Sequence, residues 1–161
     1  MSFVPGGDMV VSGYRRPEDP FGYGAHVLRM SRQAFDEIVD LAVREYPLEA
    51  CGLLAGTEVD GEASAPNFHP CRNLAASAKL YTVDPADHLR AERAADDADL
   101  DIIGVVHSHT HTEPYPSATD VRDAPDPGWH YVIVSLKREA PEIRSYRIID
   151  GEISEERLII E

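Results

Sequence analysis

The chain has 161 residues, enough for one domain with a buried core, and 43% of them are hydrophobic. Its formal net charge is −14, because 29 acidic residues face only 15 Lys and Arg. This balance argues against nucleic acid binding, which needs clusters of basic side chains facing phosphates. No apolar run approaches the ~20 residues of a membrane-spanning helix, and no signal-peptide pattern is present, so a cytoplasmic protein without a membrane partner is expected.

The first half of the chain predicts a helix and several strands in alternation. Residues 1–24 are rich in Gly and Pro and predict a flexible extension, and 25–161 predict the folded domain. A short strand is expected over 25–30, followed by a helix over 32–46 that is capped by Ser31 and ended by Pro47. The apolar residues of this helix follow helical spacing: Ala34, Phe35, Ile38, Leu41, Ala42 and Val43.

Three strands and a second helix are expected next. The strands cover 49–55 (closed by Gly56), 63–70 and 80–83, with a turn at 60–61 and a loop over 73–79. A helix is predicted over 85–98, with Pro in its first turn. Its predicted buried face consists of Ala86, Leu89, Ala94 and Ala98.

The remaining chain predicts four strands and one short helix. The strands cover 101–109, 129–136, 142–149 and 153–160, and Asp150-Gly151 is a hairpin signal. The short helix begins near Asp120, with Ser117 or Thr119 as its cap, and ends before Pro125. Early helices alternate with strands and late strands follow one another. This order predicts a single α/β domain, a mixed β-sheet with helices packed on its faces.

A candidate metal site lies between Gly104 and Asp120. On a strand, residues i and i+2 point to the same face, so His107 and His109 can bind one ion together. The prolines that follow must turn the chain, which returns Asp120 towards the strand end. Two nitrogens and one oxygen form a three-ligand zinc site that leaves the fourth position to water, as catalytic sites do. His111 also follows a histidine by two residues, so His109 and His111 form an alternative pair.

Two cysteines, Cys51 and Cys71, are too few for a disulfide framework, and there is no Cys-x-x-Cys for a thiolate cluster. Cys51 lies in an apolar stretch and is interpreted as a small buried hydrophobic residue rather than a nucleophile.

The complete pattern resembles the JAMM (MPN-plus) metalloprotease motif. A Glu at position 49 precedes the His-x-His pair, ten residues separate His109 from Asp120, and Ser117 stands three before that Asp. The ten-residue spacing favours His107 and His109 over the alternative pair. The resemblance covers about 28–160 and implies the JAB1/MPN fold, akin to that of cytidine deaminases. It also implies a Zn²⁺ cofactor, Glu49 as general base and Ser117 as the donor to the oxyanion.

Deamination itself is not expected. Pro70-Cys71 is followed by Arg72 and Asn73 and lacks the second Cys of the deaminase Pro-Cys-x-x-Cys, so the thiolate pair of a deaminase zinc site is missing.

The sequence further resembles a small actinobacterial branch of this family. Three stretches carry the resemblance, the one around the His-x-His pair and those at 130–132 and 144–148. The branch hydrolyses the C-terminal amide bond between a ubiquitin-like sulfur-carrier protein and cysteine, so the implied partner is a small carrier with a Gly-Gly tail. Two alternatives stay open: a broader isopeptidase that removes ubiquitin-like proteins from lysine, and a non-catalytic binding module. The sequence leaves the oligomeric state open.

Overall fold

The computed structural model describes residues 9–10 and 26–161. The predicted extension at 1–24 lies outside these residues, apart from the two that form β1. The strands and helices in chain order are β1 (Met9–Val10), β2 (Val27–Met30), α1 (Arg32–Glu45), β3 (Cys51–Val59), β4 (Glu62–Cys71), α2 (Pro85–Asp97), β5 (Asp101–His109), α3 (Ala118–Arg122), β6 (His130–Ser135), β7 (Glu142–Ile149) and β8 (Glu152–Ile160).

The sheet is mixed and its pairing closes on itself. The order is β1-β8-β2-β4-β3-β5-β6-β7, and β8 pairs with β7 as well. β2 runs parallel to β4 and β8, β5 runs parallel to β6, and the other pairs are antiparallel. The predicted α/β domain with a mixed sheet is confirmed, whereas its closure was not predicted. Among the described residues, no helix is long and apolar enough to cross a membrane.

The two long helices pack against different hydrophobic clusters. Neighbouring strand residues point to opposite faces, so Leu54 joins the cluster under α1 and Leu53 joins the cluster beside α2. The predicted face of α1 is largely confirmed, since its buried residues are Ala34, Ile38, Leu41 and Ala42. Val43, which was expected to be buried, is 58% exposed.

The predicted buried face of α2 is wrong. The helix buries Asp87, Ala91 and Ala95, whereas Leu89 is 47% exposed. The Asp87 carboxylate accepts hydrogen bonds from the backbone N–H (2.8 Å) and the guanidinium (3.3 Å) of Arg72, just after β4. A buried carboxylate with such partners is satisfied, so an acidic residue anchors this face and the leucine stays in solvent.

The predicted end of the first central strand at Gly56 is also wrong. β3 continues to Val59, with a register shift between Ala55 and Thr57. A Cβ atom at Gly56 would lie 1.9 Å from the backbone oxygen of Ser64. Glycine is therefore needed here for the close approach of two strands.

The strand predicted over 80–83 is replaced by a single bridge between Asn73 and Val83. The Asn73 side chain accepts a hydrogen bond from the Thr82 backbone at 2.8 Å and donates one to the Leu80 carbonyl at 2.9 Å. One side chain thus satisfies backbone groups that a neighbouring strand would otherwise take. The two hairpin turns are as predicted, and their residues have positive φ: Asp60 and Gly61, Asp150 and Gly151.

A buried histidine links the start of β6 to two carboxylates. His130 is fully buried, and its Nδ1 lies 2.5 Å from Glu156 while its Nε2 lies 3.1 Å from Glu58. Both ring nitrogens face acceptors, so both must carry protons. Burial alone lowers the pKa of His130, but the hydrogen bonds to Glu156 and Glu58 raise it above its ordinary value.

This arrangement predicts a pH-dependent stability. Because the folded-state pKa is raised, the stabilisation is complete below the unfolded-state pKa of about 6.5 and is lost as pH rises through the folded value. His130→Gln should lower the free energy of unfolding by about 3–5 kcal/mol at pH 6 and by less at pH 9, as measured by urea unfolding. His88→Gln removes a partly exposed histidine paired with Glu92 and is the control. An equal loss at both pH values for His130→Gln would contradict the charged state.

Candidate active site

The pairing of β3 with β5 brings three candidate side chains together. Cys51 faces His107 across this antiparallel pair, and just before β3 the Ala50 carbonyl accepts a hydrogen bond from the Ser108 backbone at 2.9 Å, which brings Glu49 close to both histidines. A carboxylate oxygen of Glu49 and one ring nitrogen from each histidine lie within 4.8 Å of one another. All three residues are buried.

Asp120 reaches the same place from α3. Ser117 caps this helix, and its Oγ accepts a hydrogen bond from the Asp120 backbone at 3.1 Å, while the Asp120 carboxylate accepts one from the Ser117 backbone at 2.8 Å. This reciprocal capping box fixes both side chains. The cap at Ser117 was one of the two predicted, and the helix begins at Ala118, slightly earlier than expected.

The donor atoms of the two histidines and Asp120 form a regular triangle. His107 Nε2, His109 Nε2 and Asp120 Oδ2 lie 3.1 Å from one another. Two imidazole nitrogens and one carboxylate oxygen this close together would hold a metal ion of the kind that binds such donors at about 2.0–2.2 Å, and it would supply Lewis acidity there. The residues therefore fit a metal ion.

The protonation of His109 supports this fit. Its Nδ1 lies 2.8 Å from the backbone oxygen of Glu113, which can only accept, so Nδ1 carries the proton. In the neutral ring, the Nε2 lone pair then faces the lone pairs of His107 and Asp120. A cation in the triangle satisfies all three groups, and the bond to Glu113 orients the imidazole as outer partners of metal ligands do.

The loop after β5 is held by side chains of the neighbouring strands. Ser135 donates a hydrogen bond to the Thr112 carbonyl at 2.5 Å, and the Tyr146 hydroxyl donates one to the Pro114 carbonyl. On the other side of the site, the ring of Tyr81 stacks on His107, with centroids 4.4 Å apart. Sequence reasoning missed Tyr81, since its contact depends on the path of a loop and leaves no spacing pattern.

Glu49 is a buried carboxylate with an unpaired oxygen. It is 3% exposed, and no described residue makes a hydrogen bond to its Oε2. Burial raises the pKa of Glu49 to about 7; the charge of His109 opposes this rise and that of Asp120 adds to it. A carboxyl group with a pKa near neutrality can accept and return a proton.

The ligand candidates have shifted pKa values as well. Burial lowers the pKa of His107, which keeps the imidazole neutral as metal binding requires. Burial also disfavours ionisation of Asp120 and protonation of His109. Hydrogen bonds from protonated His107 and His109 outweigh burial and lower the pKa of Asp120, and hydrogen bonds to Asp120 and the Glu113 carbonyl raise the pKa of His109; a bound cation would take the place of these protons.

The other candidate histidine faces away from the triangle. His111 is exposed, and its ring nitrogens lie 3.3 Å from the Tyr46 hydroxyl and 2.8 Å from the Thr110 hydroxyl. A separate cleft of about 560 Å³ lies between α1 and the residues after β4, and it shares Glu49 with the site. The three atoms of the triangle do not line this cleft.

Comparison with known proteins agrees with this geometry. The family model described as prokaryotic homologs of the JAB domain matches residues 31–149. The chain belongs to this family. It is a hydrolase of the JAB family, because the similar curated proteins include CysO-cysteine peptidases and desampylases, and the binding-module alternative is therefore set aside.

Three similar proteins illustrate the relationship. The chain is 42% identical to a CysO-cysteine peptidase of Mycobacterium tuberculosis over 81% of its own length and 89% of the relative's. It is 38% identical to a desampylase of Haloferax volcanii, over 58% of this chain and 67% of that protein. The solution structure of DSY2949 from Desulfitobacterium hafniense superimposes with a TM-score of 0.77 at 30% identity, covering 83% of this chain and 92% of that one.

The triangle of donor atoms predicts that His109 is needed for metal binding and that His111 is not. His109→Ala removes one corner and should reduce the metal content from about one ion per chain to near zero, as measured by elemental analysis after gel filtration. His111→Ala is the matched control, two residues further on, and should keep the metal. Loss of metal from His111→Ala as well would favour the alternative pair, and full metal content in His109→Ala would contradict both pairs.

Proposed function

We propose that this protein is a zinc-dependent peptidase that hydrolyses the terminal amide bond of a sulfur carrier–cysteine adduct. The carrier is a small ubiquitin-like protein with a C-terminal Gly-Gly tail, and the products are free cysteine and the restored carrier. One observation carries the proposal: the unpaired carboxylate oxygen of Glu49 lies beside a triangle of donor atoms suited to zinc.

The proposed ligands are His107, His109 and Asp120. Two nitrogens and one carboxylate oxygen suit zinc. Because the protein would supply only three ligands, a fourth position would be left to water or substrate, as in catalytic zinc sites. A bound zinc ion supplies Lewis acidity, which acidifies water and polarises a carbonyl group. A carboxylate oxygen of Glu49 also lies within 4.8 Å of one ring nitrogen of each histidine, but its Oε2 has no hydrogen-bond partner among the described residues, and we propose a role for it beside the ligands rather than among them.

Glu49 is the proposed general base. Its free oxygen takes a proton from the attacking water, and the same carboxyl group then returns the proton to the departing amine. Ser117 is the proposed donor to the oxyanion. Its Oγ accepts a hydrogen bond from the Asp120 backbone, so its own hydroxyl proton is available to the substrate oxygen.

The substrate assignment rests on the relative named CysO-cysteine peptidase, whose length the match covers almost completely. The site lies where the central strands β3 and β5 meet, and an extended glycine tail can enter such a buried site where larger side chains would collide. The body of the carrier would supply binding energy that holds this tail in register.

A second candidate is a broader isopeptidase that releases ubiquitin-like proteins from lysine. The similarity to a desampylase favours it. The two candidates share the same hydrolytic groups and differ in the leaving amine, which is an α-amine in the first and a lysine side-chain amine in the second.

Replacement of the base tests the mechanism. Glu49→Gln keeps the shape of the side chain but cannot take a proton, so turnover should fall by about 10²–10⁴ while the metal is retained. Glu45→Gln makes the same chemical change at an exposed position on α1 and should stay near the wild-type rate. Near wild-type hydrolysis by Glu49→Gln would refute its role.

The substrate is tested by mass spectrometry of two carrier conjugates. Zinc-loaded enzyme should remove the terminal cysteine from a Gly-Gly–cysteine adduct faster than it cleaves the same carrier from a lysine side chain. A free Gly-Gly-Cys peptide should react much more slowly than the intact adduct, because it lacks the binding energy of the carrier. Cleavage of only the lysine-linked conjugate would establish the second candidate instead.

A further inference from the structure

The segment 77–81 borders the site and is fixed at three points. The Glu49 backbone donates a hydrogen bond to the Ser77 carbonyl at 2.8 Å. The Thr110 hydroxyl, next to His109 in sequence, donates one to the Ala78 carbonyl at 3.3 Å. Tyr81 stacks on His107. Lys79 lies between these anchors, so its backbone is held close to the groups proposed for the reaction.

A chain of hydrogen bonds further orders this rim. Because Thr110 gives its proton to Ala78, its Oγ must accept from His111 Nδ1, 2.8 Å away. His111 Nε2 in the neutral ring then accepts from the Tyr46 hydroxyl at 3.3 Å. The end of α1, the end of β5 and the segment before Lys79 are thus joined in one network.

Lys79 differs from the other basic residues around the site. Within the described part of the chain, its ammonium group has no carboxylate within salt-bridge distance, and it is exposed. The neighbouring basic side chains are all paired: Arg72 with Asp84 and Asp87, Arg122 with Asp123, and both Lys137 and Arg138 with Glu113. A free cation beside a catalytic centre is notable in a chain with net charge −14.

We infer that Lys79 binds the free α-carboxylate of the leaving amino acid and so restricts cleavage to the C-terminal residue. This inference rests on the proposed function. A terminal residue has its carboxylate only two bonds from the scissile nitrogen, and it must sit close to the acidic groups Glu49 and Asp120. A lysine side chain reaches about 6 Å from its Cα and can neutralise that carboxylate with a charge-assisted hydrogen bond.

The inference also separates the two candidate substrates. An α-amine leaving group from a terminal residue has this carboxylate, whereas the lysine side chain of an isopeptide has no charge at that position. Lys79 would therefore act on specificity rather than on the hydrolytic step, and its replacement should change KM more than kcat.

The test compares two adducts of one Gly-Gly-ending sulfur-carrier protein, joined either to cysteine or to cysteinamide. The amide removes the negative charge and keeps the scissile bond. With the wild-type enzyme, KM should be about tenfold lower for the free acid. Lys79→Gln should raise KM for the acid by about that factor, leave kcat nearly unchanged and leave KM for the amide unchanged; Lys79→Arg should restore most of the preference.

Arg157→Gln is the matched control, because it removes one exposed positive charge from β8, away from the site. Equal effects of Lys79→Gln on both adducts, or an equal effect of the control, would overturn the inference. If the wild-type enzyme cleaved both adducts but without preferring the acid, the inference would fail while the proposed function stood. If it cleaved neither adduct, the proposed function itself would fail.

Discussion

The antiparallel register of β3 and β5 is the constraint on which the site depends. It places Cys51 opposite His107, and the hydrogen bond from the Ser108 backbone to the Ala50 carbonyl continues the pairing towards Glu49, whose carboxylate lies close to both histidines. Since side chains alternate along a strand, a shift of one residue would turn Glu49 away from both histidines. The register is held by strands on both sides, because β3 lies between β4 and β5 in the middle of the sheet. The proposed base and two of the proposed metal ligands are therefore positioned by the central strands of the sheet.

Burial raises the pKa of Glu49, and it also makes unpaired polar atoms in the candidate site energetically costly unless a cation binds there. Glu49 has an oxygen without a hydrogen bond among the described residues, and the three donor atoms of the triangle crowd together at 3.1 Å. Single unpaired atoms occur elsewhere in the described residues, such as Glu156 Oε2, so an unpaired oxygen alone does not distinguish Glu49. What distinguishes this cluster is that the unpaired carboxylate lies beside three converging donor atoms, an arrangement that suits an added ion.

The parts that sequence could predict are those with a regular period or a fixed spacing. Helical and strand periodicity gave nearly every element, and the turn at Asp150 and Gly151 followed from residue type. The predicted buried face of α2 was wrong because it was chosen from hydrophobic residue types alone. Asp87 is buried instead, because its carboxylate accepts hydrogen bonds from Arg72. The strand expected at 80–83 failed for a similar reason, since a single asparagine side chain satisfies its backbone.

The candidate site also has parts that the sequence could predict and parts that it could not. Spacing identified the side chains that meet at the triangle, because strand alternation and a capping box each have a sequence pattern. The groups that contact these side chains have no such sequence pattern. They are the Glu113 carbonyl, the ring of Tyr81 and the loop at 77–79, and all of them lie on irregular backbone. Loops carry specificity because they can change without disturbing the register below them. The central strands thus position Glu49 and the two histidines proposed for the hydrolytic step, whereas the proposed selection of the leaving group lies in the loop that holds Lys79.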